Sequence, residues 1–173
     1  METLRVVNAI YTMQSNLAFD IAWLHWNLME TKYYPAKPHM LKWILPTNGK
    51  TVQIYPNNKV QIIGKVNYEE AKSMRDTIIQ ELRQVLDEPS LTMTLPAVST
   101  MTLTARLPFR PNFNGLVCNS LVNYEPEIFP AVILSYWSPM KVTLFHTGHI
   151  NLTGVKNVND VIPIVSSLQS MFQ

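Results

Sequence analysis

Hydrophobic residues recur along this chain with two periods, and the periods mark out its elements. Leu4 to Met13 reads as a strand, with Val6, Val7, Ile10 and Tyr11 as apolar members and Asn8 as a polar intruder. Leu17, Ile21, Leu24 and Leu28 then recur at helical spacing, which predicts a helix over 17–29 with Trp23 and Trp26 packed in its core face. Lys32 to His39, broken by Pro35 and Pro38, reads as a loop. Three short strands follow at 40–45, 51–55 and 60–63, with Asn48-Gly49 and Asn57-Asn58 at the breaks where tight hairpins favour them. Asn67 to Leu86 carries the clearest helical signal. Ala71, Met74, Ile78, Leu82 and Val85 form one stripe, and Asn67 with Glu70 has the form of a capping box.

The second half repeats this rhythm. Leu91 to Leu107 is a long extended stretch rich in threonine, and 112–119 is predicted as a short helix. Three apolar runs, VILSYW, KVTLF and HINLTG, are separated by Ser138-Pro139 and Thr147-Gly148. A last helix spans roughly 159–172, with Val161, Val165, Leu168 and Phe172 inward and Pro163 in its first turn, the one part of a helix where proline is tolerated. Strand, helix, three strands, helix is therefore expected twice. Tyr33 and Pro35 fall 91 residues before Tyr124 and Pro126, while Gly64 and Asn67 fall 90 before Gly154 and Asn157. This predicts an internal duplication, with one repeat over 1–90 and another over 91–173 that together make one domain.

Successive strand residues point to opposite faces, so each repeat has one sheet face for its helices and another that must meet something else. Two such repeats joined strand to strand would give one curved sheet, helices on its convex side, and a bare apolar concave side. A bare apolar surface of that size is an interaction surface. The fold class expected from order and duplication is thus α+β, a pseudo-dimer with a candidate groove.

Charge sharpens this only slightly. Charged residues make up 15% of the chain, and the formal net charge is +2. Residues 1–90 carry ten Lys/Arg against nine Asp/Glu; residues 91–173 carry four against three. A mild positive balance permits a polyanionic partner without demanding one. The single cysteine, Cys118, leaves no internal disulfide, and no apolar run reaches the roughly 18 residues of a membrane span. Catalytic chemistry finds no foothold. His25, His39, His146 and His149 have no metal-ligating helical spacing, Cys118 lacks a recognisable base, and the five glycines form no phosphate loop. The Asn151-Leu152-Thr153 sequon falls in a strand and is incidental. The expectation is a non-enzyme with no cofactor, no metal and no membrane partner.

One stretch is more specific. Tyr124-Glu125-Pro126-Glu127-Ile128-Phe129-Pro130, followed by Phe145, Gly148 and Leu152-Thr153-Gly154, resembles the second half of the TATA-binding protein core, with one residue fewer between Pro139 and Phe145. The resemblance extends more weakly over the first half. It implies a saddle of two pseudo-symmetric repeats that straddles the minor groove of AT-rich promoter DNA. That groove offers only acceptors on A·T pairs, so recognition leans on apolar contact and on duplex deformability. Carried over by position, the wedging pair is Phe129 and Phe145 in the second half, and Pro38 and Tyr55 in the first. Central polar contacts fall on Asn8 and Thr100, flanking ones on Ile63 and Thr153, with Ile10 beside them on the same strand as Asn8. The family's arginines on the flanking strands fall on Ile44 and Ser135. Fewer phosphate contacts would follow, and a log–log salt slope no steeper than about −4.

The resemblance further implies that Glu125, Glu127 and Ile128 grip a IIB-type transcription factor, and that RNA polymerase subunits or a heterodimer partner join. The nucleus is the implied site of action, or the viral transcription site if the chain is viral. The rival expectation is a protein adaptor of the same fold that has ceased to bind DNA alone.

Overall fold

The computed structural model describes residues 2–173. In chain order the elements are β1 (Glu2–Gln14), α1 (Ile21–Asn27), β2 (Thr31–Tyr34), β3 (Met40–Ile44), β4 (Thr51–Ile54), β5 (Lys59–Gly64) and α2 (Tyr68–Leu86). Then come β6 (Ala97–Arg106), β7 (Val122–Asn123), β8 (Ala131–Leu134), β9 (Lys141–Phe145), β10 (His149–Val155) and α3 (Val161–Phe172), the last preceded by a 3-10 turn over Val158–Asp160. The strands hydrogen-bond in the order β2-β3-β4-β5-β1-β6-β10-β9-β8-β7. Every register resolved within that sheet is antiparallel. The fold class is α+β, one large antiparallel sheet with helices. Two compact units divide the chain: Asn8–Ser99, and Thr100–Gln173 together with the residues up to Val7.

In the first unit the pleat sorts side chains cleanly. Ala9, Tyr11 and Met13 of β1, Val60 and Ile62 of β5, Val52 and Ile54 of β4, and Leu41 and Trp43 of β3 are all buried. In β4 and β5 their neighbours one residue along are the half-exposed members of the same strands. The helices lie on the buried face. α1 packs against β2 and β3, and α2 brings Tyr68 to 6.4 Å from the Tyr11 ring. α2 forms where the sequence predicts, and its capping box is complete: Asn67 accepts from the Glu70 amide at 2.9 Å, and the Glu70 carboxylate accepts from the Asn67 amide at 2.8 Å. Asp87 ends the helix in the left-handed conformation, φ +53°. Arg75 and Arg83 fold back to donate to the backbone carbonyls of Met93, Thr94 and Leu91, which pins the chain leaving α2 along the helix.

In the second unit Leu103 and Ala105 of β6, Ile150 and Leu152 of β10, Val142 and Leu144 of β9, and Val132 and Leu134 of β8 are buried on one face. Val161, Ile164, Val165, Leu168 and Phe172 of α3 are buried as well. Two glycines fix the strand ends here. Gly148, φ +87°, turns β9 into β10, and a Cβ on it would stand 2.7 Å from the Phe109 carbonyl oxygen. Gly154, φ +77°, sits where the β6–β10 register shifts, and its Cβ would stand 2.8 Å from the Pro139 carbonyl oxygen.

Register displays the duplication strand by strand. Leu41 opposite Ile54 in β3–β4 recurs as Val132 opposite Leu144 in β8–β9. Tyr11 opposite Ile62 recurs as Leu103 opposite Leu152. Four expectations are corrected. Thr31–Tyr34 is a strand rather than part of a loop, so each repeat has four strands after its first and not three. The first helix begins at Ile21, capped by Asp20, and not at 17. Trp23 and Trp26 are 42% and 84% exposed, because in so short a helix only Ile21 and Leu24 face inward. Residues 112–119 are turns with no helix, so the second repeat lacks a counterpart of α1.

Candidate nucleic-acid interface

The sheet face turned away from the helices is where the sequence places its candidate contacts. In the first unit this face carries Lys32, Lys42, Gln53, Gln61 and Thr12 directly opposite one another across β2, β3, β4, β5 and β1. The equivalent row in the second unit is Asn123, Ile133, Thr143, Asn151 and Thr104, across β7, β8, β9, β10 and β6. The expectation of an apolar open face is therefore corrected. Polar side chains predominate in its central rows, with Ile133 the apolar member, and in the first unit hydrogen bonds organise them. Gln61 donates from Nε2 to Thr12 Oγ1 at 3.0 Å, Thr12 and Ser99 hydroxyls bond to each other, and the Tyr55 hydroxyl donates to Gln53 Oε1 at 2.9 Å and Gln61 Oε1 at 3.1 Å. Sequence reasoning did not single out Gln53, Gln61, Thr12 or Lys42. The signal was the polar residue at every second position of Thr51-Val52-Gln53-Ile54 and Lys59-Val60-Gln61-Ile62, but only the sheet shows which face the helices leave open.

Phe129 and Phe145 meet on the open face of the second unit. Their ring centroids are 5.9 Å apart at 66°, an edge-on pair, and Phe129 is 41% exposed. A tight turn holds Phe129 in place. Its amide donates to the Glu125 carbonyl at 2.8 Å, the Ile128 amide to the same carbonyl at 2.9 Å, and the Ala131 amide to Phe129's own carbonyl at 2.9 Å. The root of that loop is anchored by rings. Tyr124 packs edge-on against Phe113 at 5.2 Å, and Phe113 against Phe172 of α3 at 5.8 Å. Phe129 thus projects from a hydrogen-bonded turn and is supported by a second ring on the adjacent strand.

The first unit is built differently at the same register. Pro38 is exposed on the β2–β3 loop, after a cis peptide bond. Tyr55 is tethered by its hydroxyl to the two glutamines, and Lys59 Nζ lies 4.0 Å from its ring centroid. Burial raises the Tyr55 hydroxyl pKa above 10.0, which keeps it a donor. The structure brings Pro38 and Tyr55 to no ring pair like that of Phe129 and Phe145.

The remaining strand candidates lie on the open face of their own units. Asn8 and Ile10 of β1 are half-buried there, Ile10 opposite Ile63 of β5. Thr100 of β6 is half-buried, and Thr153 of β10 is exposed opposite Lys141. Glu125, Glu127 and Ile128 line a shallow depression on the turn below Phe129, with Ile128 80% exposed. Among the described residues no group of three histidine, cysteine or carboxylate side chains could hold a metal ion.

In class the chain is a duplicated α+β protein whose sheet has one face packed under helices and carries an aromatic pair on the other face of its second unit. The comparisons narrow this class. Residues 96–173 match the family model described as "Transcription factor TFIID (or TATA-binding protein, TBP)". Along most of its length the chain is similar to archaeal TATA-box-binding proteins. That of Methanococcus vannielii is 25% identical over 162 residues, covering 91% of this chain and 87% of the relative. That of Methanocaldococcus jannaschii is 26% identical over 163 residues, covering 91% and 86%. That of Picrophilus torridus is 25% identical over 178 residues, covering 100% and 96%. In three dimensions the chain matches Methanococcus jannaschii TBP with a TM-score of 0.75 at 20% identity, over 96% of each chain. The chain thus has the fold of that solved structure, and its second half is similar to the TATA-binding protein family.

Proposed function

We propose that this chain is a transcription initiation factor of the TATA-binding type. It binds AT-rich promoter DNA through the minor groove and bends it, and its Glu125–Ile128 turn recruits a IIB-type factor or polymerase subunits. The observation that carries the reading is the Phe129–Phe145 ring pair, held by turn hydrogen bonds on the open face. Apolar wedges of this kind enter base steps, unstack them and kink the duplex. The similarity to archaeal TATA-box-binding proteins supports the assignment. The row residues Asn151, Thr104 and Thr143 provide hydroxyl and amide groups suited to the acceptors on A·T pairs. The Glu125–Ile128 turn offers two exposed carboxylates and an exposed isoleucine, a mixed surface suited to a protein partner.

A bending assay with end-labelled duplexes tests it. Wild type should bind and bend an AT-rich duplex more than a GC-rich one. Phe129→Ala and Phe145→Ala should each cost roughly 1–3 kcal/mol of affinity and reduce the bend, because stacking on a base is worth about that much. Equal behaviour of wild type and both variants at physiological salt would leave the second reading, an adaptor that does not bind DNA alone. One observation favours that rival: the tethered, lysine-covered Tyr55 leaves the first unit without a free aromatic wedge.

A further inference from the structure

The strands carry a charge pattern that the net charge conceals. Their basic residues are Arg5, Lys32, Lys42, Lys59, Arg106 and Lys141, whereas Glu2 at the start of β1 is their one acid among the described residues. Every other carboxylate lies on a helix, turn or loop. Lys32 of β2 and Lys42 of β3 are directly opposite on the open face. Like charges in that arrangement repel and destabilise the pair. Lys72–Glu69 and Arg75–Asp76 are ion pairs on α2, whereas neither Lys32 nor Lys42 has a carboxylate partner among the described residues. Lys32 Nζ instead lies 5.3 Å from the Tyr34 ring centroid. At the equivalent register the second unit has Asn123 and Ile133, so the pair belongs to one half alone. Two ammonium groups standing opposite one another with no carboxylate partner favour an anion over a cation at this place on the open face.

We propose that Lys32 and Lys42 form a phosphate clamp that takes DNA backbone phosphates, so that the first half holds DNA electrostatically while the second half wedges it. The inference rests on the DNA-binding reading. It reverses the shallow salt dependence expected from Ile44 and Ser135 standing where arginines would. Lys42 is two residues from Ile44 on the same strand, hence on the same face, and can reach the backbone that the missing arginine would have met. Phosphate contacts position a protein on the duplex without reading sequence, so the clamp contributes equally on all sequences.

Fluorescence anisotropy over a salt series, on an AT-rich and a GC-rich duplex, tests the clamp. Lys32→Gln and Lys42→Gln should each reduce the log–log salt slope by about 0.9 and weaken binding about fivefold at 0.15 M salt. Both duplexes should be affected alike, and melting temperatures should hold or rise as the repulsion is relieved. Lys42→Arg should retain the wild-type slope, which separates charge from side-chain shape. A slope unchanged on both duplexes in the double glutamine variant overturns the clamp, whether or not that variant loses affinity for poly-glutamate, the mimic of an acidic protein partner. The reduced slope, found without AT preference or bending in wild type, sustains the clamp and defeats the promoter reading. No DNA binding by wild type at any salt defeats both.

Discussion

At the scale of single residues, Tyr55 shows how position and environment separate. Its place on the open face matches that of Phe145, but its hydroxyl is bound to Gln53 and Gln61. Removing that hydroxyl with Tyr55→Phe should cost about 1 kcal/mol at neutral pH, because two glutamine oxygens lose a donor. The pH dependence follows from the raised hydroxyl pKa, caused by burial. Below pH 10 the phenol is neutral in both folded and unfolded chains, and stability is insensitive to it. As pH rises past 10.0 the unfolded chain ionises first, so the folded state loses stability until its own higher pKa is passed. Tyr11, raised by burial and then by the Glu70 charge, behaves in the same sense. Urea midpoints at pH 9 and pH 11 should therefore converge in Tyr55→Phe relative to wild type. Equal alkaline losses in the two proteins would place the hydroxyl in solvent.

At the scale of elements, what the sequence reveals depends on whether local chemistry or remote pairing forms the element. α2 was legible because its stripe, cap and stop all lie within its own residues. Asn67→Ala should remove the side-chain half of the capping box and cost about 1 kcal/mol, seen as a lowered denaturation midpoint without a change in denaturant slope. β2 was hidden for the opposite reason. Four residues before two prolines carry no period, and the strand exists because β3 pairs with it from Thr31–Trp43 to Tyr34–Met40. The predicted helix at 112–119 failed to local competition. Asn112 accepts from the Asn114 amide, and Asn119 from the amides of Leu121 and Val122, so the side chains close turns that replace a helix. Among candidate contacts, Phe129 and Phe145 could be read from the family resemblance, but the polar rows could not. Gln53 and Gln61 acquire meaning only when register sets them opposite Lys42 and Thr12.

At the scale of the whole molecule, a net charge of +2 is a poor guide to affinity for a polyanion, because the charges are sorted by element. In the first unit the open face holds lysines and no carboxylate, while α2, on the opposite face, carries Glu69, Glu70, Asp76 and Glu81. Salt screens charges beyond about 8 Å at physiological ionic strength, so helix carboxylates on the far side of the sheet contribute little at a phosphate bound on the open face. Two substitutions of equal and opposite formal effect distinguish sorting from bulk charge. Glu81→Gln raises the net charge by one, and Lys42→Gln lowers it by one. If bulk charge governed binding, the two variants would move DNA affinity by similar factors in opposite directions. Sorting predicts that Glu81→Gln leaves the affinity within about twofold of wild type and the salt slope unchanged, while Lys42→Gln lowers both. Titrations of the two variants side by side at 0.05 and 0.15 M salt decide the matter, and a mirror-image response would refute the sorted face as the source of binding.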